Sequence, residues 1–325
     1  MLLMSYFQTL NPNAFFNALP GNIASGLIWG IMALGVFVTF RMLDMADLSV
    51  DGSFATGGAV TVICIVNGLN VWAAMIIAMA AGILAGLITG ILHTKLGIPV
   101  ILAGILTQIS LYSINLMIMD HHANTAVSVD RYQLVITARR LMPAIVIAAV
   151  FALVIIIALY WYFGTEQGSA IRATGCNPAM SQAQGININN MKLIGLALSN
   201  GIVAVAGSLF AQYSGFADVN MGRGAIVIGL AAVIIGAVLC EALVGKKANF
   251  FITLLFVVIG GIIYYIVIGI VLWLKMPSDN LKLFTAIIVA IFLAVPYLRA
   301  AGKNSFAKAG KRSAQNLGVK EKEGK

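Results

Sequence analysis

Charge is scarce in this 325-residue chain: acidic and basic side chains make up 10% of it, 61% is hydrophobic, and the mean hydropathy is +0.98. A soluble globular domain of this length needs far more polar surface, so that class is excluded and a polytopic membrane protein remains. Cysteine is equally sparse. Cys64, Cys176 and Cys240 have neither pairing nor metal-ligand spacing; the two in apolar runs read as small packing residues, and none is assigned chemistry or a metal. A phosphate-binding G-x-x-x-x-G-K-[ST] loop is missing, so by that signature this chain does not bind nucleotide. The N-terminus lacks a basic region and an A-x-A site, and no cleavable signal peptide is expected. Acidic residues are outnumbered, 11 against 20, giving a net charge of +9. Much of the basic excess follows Val295, in "YLRAAGKNSFAKAGKRSAQNLGVKEKEGK". A solvated or headgroup-facing cytoplasmic tail over 299–325 accounts for it, and no nucleic-acid partner is called for.

What is abundant is the apolar run. Segments near 22–40, 52–68, 71–92, 98–119, 141–163, 192–213, 223–240, 250–274 and 281–298 are long enough, or nearly so, to span a bilayer as helices. The fold class is therefore all-α, a permease-like domain over 22–298 of nine spans. Residues 1–21 are uncharged but broken by Asn11, Pro12, Asn13 and Pro20. They read as an interfacial or re-entrant segment, with a tenth short span left open. Placing the basic tail in the cytoplasm puts 164–191 inside by alternation; Arg139 and Arg140, then outside, count against that orientation.

The acids gather in one place, "RMLDMADLSVDGSFATGG" from Arg41 to Gly58. Sliding the chain by 171 residues aligns Gly30–Cys64 with Gly201–Ile235 at eight of 35 positions, Asp47/Asp218 and Gly58/Gly229 among them. An odd number of spans separates the copies, so they are inverted. Inverted repeats bring broken elements from opposite faces to a transport path. On this reading "ADLSVDG" and "ADVNMGRG" approach each other, and Asp47, Ser49, Asp51, Ser53, Asn220 and Met221 are path residues. Two ordinary polar loops are the alternative. Asp47, Ser49 and Asp51 also suit helix N-caps, whereas Asp44, without a counterpart, is expected as a surface charge near Arg41. Gln108 and Asn200 lie inside spans and are left open between path and interhelical glue; Gln212 is read as glue. The glycines Gly82, Gly86 and Gly90 favour packing within the chain over a dimer seam. His121 and His122, adjacent in a polar loop, are assigned no ligand.

The stretch "GTEQGSAIRATGCNPAMSQAQGININNMK" reads as two short helices about a Gly-Cys-Asn-Pro turn, the second opened by Pro178 and closed by Gly185. "AIRATGCNPAMSQAQGININNMKLIGLALSNGIVAVAGSLFAQYSG" resembles ABC-importer permeases of the branched-chain amino acid and ribose type, and "DLSVDGSF" resembles that superfamily's element after an early helix. Within it, the wording is most similar to a subgroup linked to amino acid uptake, tryptophan and tyrosine importers included.

The resemblance implies a bacterial plasma-membrane, multi-pass permease without enzymatic activity, with ATP bound and hydrolysed on a separate ATPase subunit and no cofactor on this chain. It implies that Ala170, Ile171, Arg172, Ala173, Gly175, Asn177, Pro178, Ala179, Met180, Gln182, Gln184 and Gly185 form the ATPase-coupling loop. It further implies a homodimer and an extracytoplasmic solute-binding protein, with Asp120, Asp130 and Arg131 as docking charges. A secondary transporter or a channel is the alternative function; the first needs charged or ion-coordinating residues at mid-membrane, and the spans as drawn hold none.

Overall fold

A computed structural model describes residues 12–245 and 249–274, together with five single helical positions between 283 and 294. The chain divides into two compact units, Met1–Ser278 and Asp279–Lys325. Of the second, helical backbone is described at Leu283, Ala286, Ile287, Ala290 and Ala294. Residues 1–11, the tail 299–325 and most of the ninth expected span therefore lie outside the described residues.

The first unit is built from α1 (Pro12–Phe37), continued by a π-helical turn Val38–Met42, then α2 (Val50–Val66), α3 (Val71–Thr94), α4 (Val100–Ile118) and β1 (Asn124–Ala126). After these come α5 (Leu141–Gly164), α6 (Glu166–Cys176), α7 (Pro178–Ala183), α8 (Ile188–Ser214), β2 (Phe216–Asp218), α9 (Ala225–Leu243) and α10 (Phe250–Trp273). Seven of the described helices are long and apolar enough to cross a membrane, and α2 is a shorter apolar one. These eight correspond to the first eight of the apolar runs; the ninth lies mostly outside the described residues.

Where the sequence suggests a break at Pro20, α1 starts at Pro12 and runs straight through it. A proline inside a helix removes one backbone donor, here the one that would reach the carbonyl of Phe16, a residue largely exposed at the end of the bundle. Residues 12–21 thus form the opening turns of α1, continuous with the first apolar run.

Caps follow the local sequence. Asn70 accepts from the Trp72 N–H at 3.0 Å, Asn177 from Met180 at 3.0 Å and Asn187 from Asn190 at 3.2 Å, opening α3, α7 and α8. Pro178 takes the first position of α7, and Gly185, with φ +84°, turns the chain out of it.

The core centres on α1 and α8. Along α1, Ile28, Ile31, Met32 and Leu34 are fully buried, as are Leu196, Val203 and Leu209 along α8. The glycine stripe of α3 packs inside the chain: a side chain at Gly82 or Gly86 would strike the backbone of α8 at Asn200 or Leu196. Without a hydrophobic drive between helices in lipid, such backbone contact is what holds them. Ile76, Ile109, Val150 and Trp161 point out of the bundle from α3, α4 and α5, as lipid-facing side chains do. β1 and β2 add one feature the sequence did not signal, a two-stranded antiparallel ribbon pairing Asn124 with Asp218 and Ala126 with Phe216. The ribbon and the α6–α7 hairpin lie at opposite ends of α8, and these ends serve as ribbon face and hairpin face below.

Candidate functional site: a mid-bundle junction of two broken helices

The two aspartates paired by the repeat adopt the same local turn. Asp47 Oδ1 accepts from the Ser49 N–H at 2.9 Å, and Asp218 Oδ1 accepts from the Asn220 N–H at 2.6 Å. Each turn sits just before a helix, α2 in one half and α9 in the other. The turn before α2 lies deep: Ser49 and Asp47 touch Asn200, near the middle of α8, and Gly104 of α4 abuts the Leu48 and Ser49 backbone.

The two helices meet end to end. Asp51, in the first turn of α2, accepts from the Gly224 N–H at 2.9 Å through Oδ2 and from the Ile226 N–H at 2.8 Å through Oδ1. Gly222 passes so close to the Asp51 carbonyl that any side chain there would collide with it. One carboxylate therefore caps α9 from the start of α2. An N-terminal helix end carries unsatisfied donors and partial positive charge, so an acid at this junction meets a need that lipid could not.

Asp47 has a different task. Its carboxylate is 1% exposed and takes three neutral donors: the Ser49 N–H, the Ser49 hydroxyl at 2.6 Å and the Asn200 amide at 2.8 Å. The second Asn200 N–H reaches the Leu196 carbonyl at 3.0 Å. This buried lock ties the break before α2 to α8. Gln212 fastens a loop rather than a second helix, accepting from the Val135 N–H at 3.1 Å beside a Thr61–Ser208 hydroxyl pair at 2.7 Å.

Beside the junction lies a cavity of about 270 Å³ lined by Asp51, Gly52, Gln108, Ile109, Tyr112, Asn115, Val219 and Arg223. Of the path residues expected from sequence, Asp51 and Gln108 line it. Asp47, Ser49, Ser53 and Asn200 are packed away from it, fully buried; they are walls and fasteners rather than lining. Asn220 and Met221 are half-buried on the segment that descends toward α9, and Met221 abuts Gly58. Sequence reasoning missed Tyr112, Asn115 and Arg223. The signal for Arg223 was present, a lone base inside the repeated element "ADVNMGRG".

At the hairpin face, α6 and α7 divide the expected coupling loop into a root and a tip. Ile171 is fully buried and Gly175 touches the Met42 carbonyl, where a side chain would collide. Arg172 turns inward, donating to the Phe163 carbonyl at 2.9 Å with its guanidinium 5.9 Å from the Phe250 ring centroid. Ala170 and Ala173 are half-buried beside it. Asn177, Pro178, Ala179, Met180, Gln182, Gln184 and Gly185 all face outward, Met180 at 59% exposure. The root therefore rests on the π turn that leads into the Asp47 lock. Nearby, His93 Nδ1 lies 2.8 Å from the Ile98 carbonyl and Lys192 Nζ lies 3.2 Å from His93 Nε2, an arrangement in which Nδ1 donates and Nε2 accepts.

On the ribbon face, Asp130 forms an exposed pair with Arg139 at 2.7 Å. That hydrogen bond first, and the charge second, push the Arg139 guanidinium above its ordinary value. Asp44, as expected, is exposed, as is Arg41. His121 and His122 are exposed too, and no group of three metal-ligating side chains occurs among the described residues.

Similarity to known proteins agrees with this layout. Residues 21–296 match the family described as branched-chain amino acid transport system, permease component. The tyrosine transport system permease protein of Clostridioides difficile is 38% identical over 88% of this chain and 94% of its own length. The ribose import permease of Escherichia coli K12 is 26% identical over 87% and 92%. An autoinducer 2 import permease of Yersinia pseudotuberculosis is 28% identical over 64% and 59%. The chain is a multi-pass bacterial membrane protein and belongs to the branched-chain amino acid transport system permease family, as the permease component of an ABC transporter.

Proposed function

We propose that this chain forms the translocation path of an ATP-driven amino acid importer in the bacterial plasma membrane, working as a homodimer with an ATPase subunit and an extracytoplasmic binding protein. The observation that carries the reading is the α6–α7 hairpin. Its tip, Asn177 to Gly185, is exposed, while its root presses on the π turn at Met42. An ATPase holding the tip at the cytoplasmic face would push on α6, and the displacement would reach the Asp47–Asn200 lock through Met42 and Leu43. Two chains supply two such hairpins, one for each ATPase of a pair. The similarity to a tyrosine transport permease supports an amino acid as the solute. ATP is held and hydrolysed on the partner, and this chain moves solute without covalent chemistry.

The test is reconstitution. The chain is co-expressed with its ATPase and binding protein in proteoliposomes, and ATP-dependent uptake of labelled amino acids, tyrosine first, is measured beside co-purification of the ATPase. Uptake that needs ATP, and an ATPase that no longer co-purifies when Ala170–Gly185 is replaced by a flexible linker, are the expected results. ATPase retention after that replacement, or uptake independent of ATP, would overturn the reading.

A further inference from the structure

We propose that the cavity between α2, α4 and the start of α9 is a resting site for a zwitterionic α-amino acid, with Arg223 holding its carboxylate and Asp51 its ammonium group. The proposal rests on the reading of this chain as an amino acid permease and names how the path recognises that class.

Arg223 borders the cavity, is exposed, and its guanidinium has no side-chain or backbone partner among the described residues. Its planar fork matches a carboxylate in a two-point contact. Asp51 lines the same cavity, and its two oxygens each accept one backbone N–H. A carboxylate offers about four acceptor positions, so Asp51 retains capacity for a solute ammonium while still capping α9. One positive and one negative side chain lining one cavity suit a zwitterion and give a neutral sugar no return for stripping water from both charges.

A second observation is independent of the charges. Asn115 borders the cavity, is fully buried, and neither its side-chain oxygen nor its side-chain nitrogen has a partner. Buried amides are paired in nearly all proteins, and an unpaired one beside a cavity of about 270 Å³ is explained by a ligand that completes it. Gln108 and Tyr112 add further polar groups on the same face of α4, within reach of the polar end of an amino acid side chain.

The test uses the full chain in lipid nanodiscs, without partners, and measures binding of each of the twenty amino acids, of tyramine and 3-(4-hydroxyphenyl)propionate, and of ribose. At least one amino acid should bind; if it is tyrosine, tyramine (no carboxylate) and the propionate (no ammonium) should each bind much more weakly, and ribose not at all. Arg223→Gln should weaken the best amino acid about tenfold or more, the worth of a charge-assisted hydrogen bond, and should erase the preference over the analogue lacking a carboxylate. Arg223→Lys should recover part of it. Asn115→Leu should weaken binding while leaving the preference for a zwitterion in place. Unfolding of the ligand-free variants, followed in parallel, separates lost binding from lost fold. Binding unchanged in Arg223→Gln, equal binding of the zwitterion and its analogues, or no amino acid bound at all would each overturn the site. Amino acid uptake that needs ATP but ignores Arg223 would sink the site and leave the importer standing. Intact binding without ATP-driven uptake would do the reverse.

Discussion

Asp51 in α2 accepts hydrogen bonds from the backbone N–H groups of Gly224 and Ile226, 173 and 175 residues away, at 2.9 and 2.8 Å. Replacing it with alanine removes the acceptor of both donors, of which the Ile226 N–H is the part-buried one. Leaving a buried donor unpaired costs about 1–3 kcal/mol. Asp51→Ala should lower the unfolding temperature of the chain in nanodiscs and abolish uptake. Asp51→Asn, which keeps one acceptor oxygen, should retain part of the stability; equal damage from both would show that the caps contribute little.

The Asp47–Asn200 lock is a pairwise interaction and should behave as one. Asp47→Ala and Asn200→Ala should each destabilise the chain, and the double variant should cost less than their sum by about 0.5–3 kcal/mol, the range for contacting residues. Both single variants should impair uptake and leave ATPase association intact. Strict additivity in the cycle, or loss of ATPase association, would place the function of the pair elsewhere.

Gly175 offers a separate test of force transmission. A side chain there meets the Met42 carbonyl, so Gly175→Val must pry α6 from the π turn. Uptake should fall severely while the exposed tip still binds the ATPase, giving ATP hydrolysis without transport. Normal uptake in this variant would mean that motion reaches the junction by another route.

The tip should show the opposite pattern. Met180 is a large apolar side chain standing in the open, the kind of anchor that carries most of an interface's energy when buried by a partner. Met180→Asp should reduce ATPase co-purification at least about tenfold, a hot-spot loss of ~1.4 kcal/mol or more, with no change in unfolding temperature of the isolated chain.

The spans and the hairpin were legible because each rests on a local pattern: apolar run length, and Asn and Gly at caps. Asp47 and Asp218, paired by the repeat, share one local turn, each accepting from the N–H two residues on. What stayed hidden depended on contacts between elements. No periodicity places Asn115 of α4 beside Arg223, because they come together only through the packing of α2 against both. The resemblance puts Arg172 in the ATPase-coupling loop, yet the Phe163 carbonyl and the Phe250 ring lie within its reach and draw it inward. The π turn at Val38–Met42 had no sequence mark either. It sits where a helix must end against Leu43 and α6, and such turns gather where function strains a helix.

The end-to-end contact of α2 and α9 also bears on how the protein is made. α2 is too short to count among the long apolar helices, and most of its side chains are buried against the rest of the chain. Its partners α8 and α9 leave the ribosome long after it does, so during synthesis α2 must wait, provisionally lodged, with Asp47 and Asp51 still hydrated. The first half of the bundle then has no finished structure of its own, and truncated chains ending before α8 should be prime targets for membrane quality-control proteases.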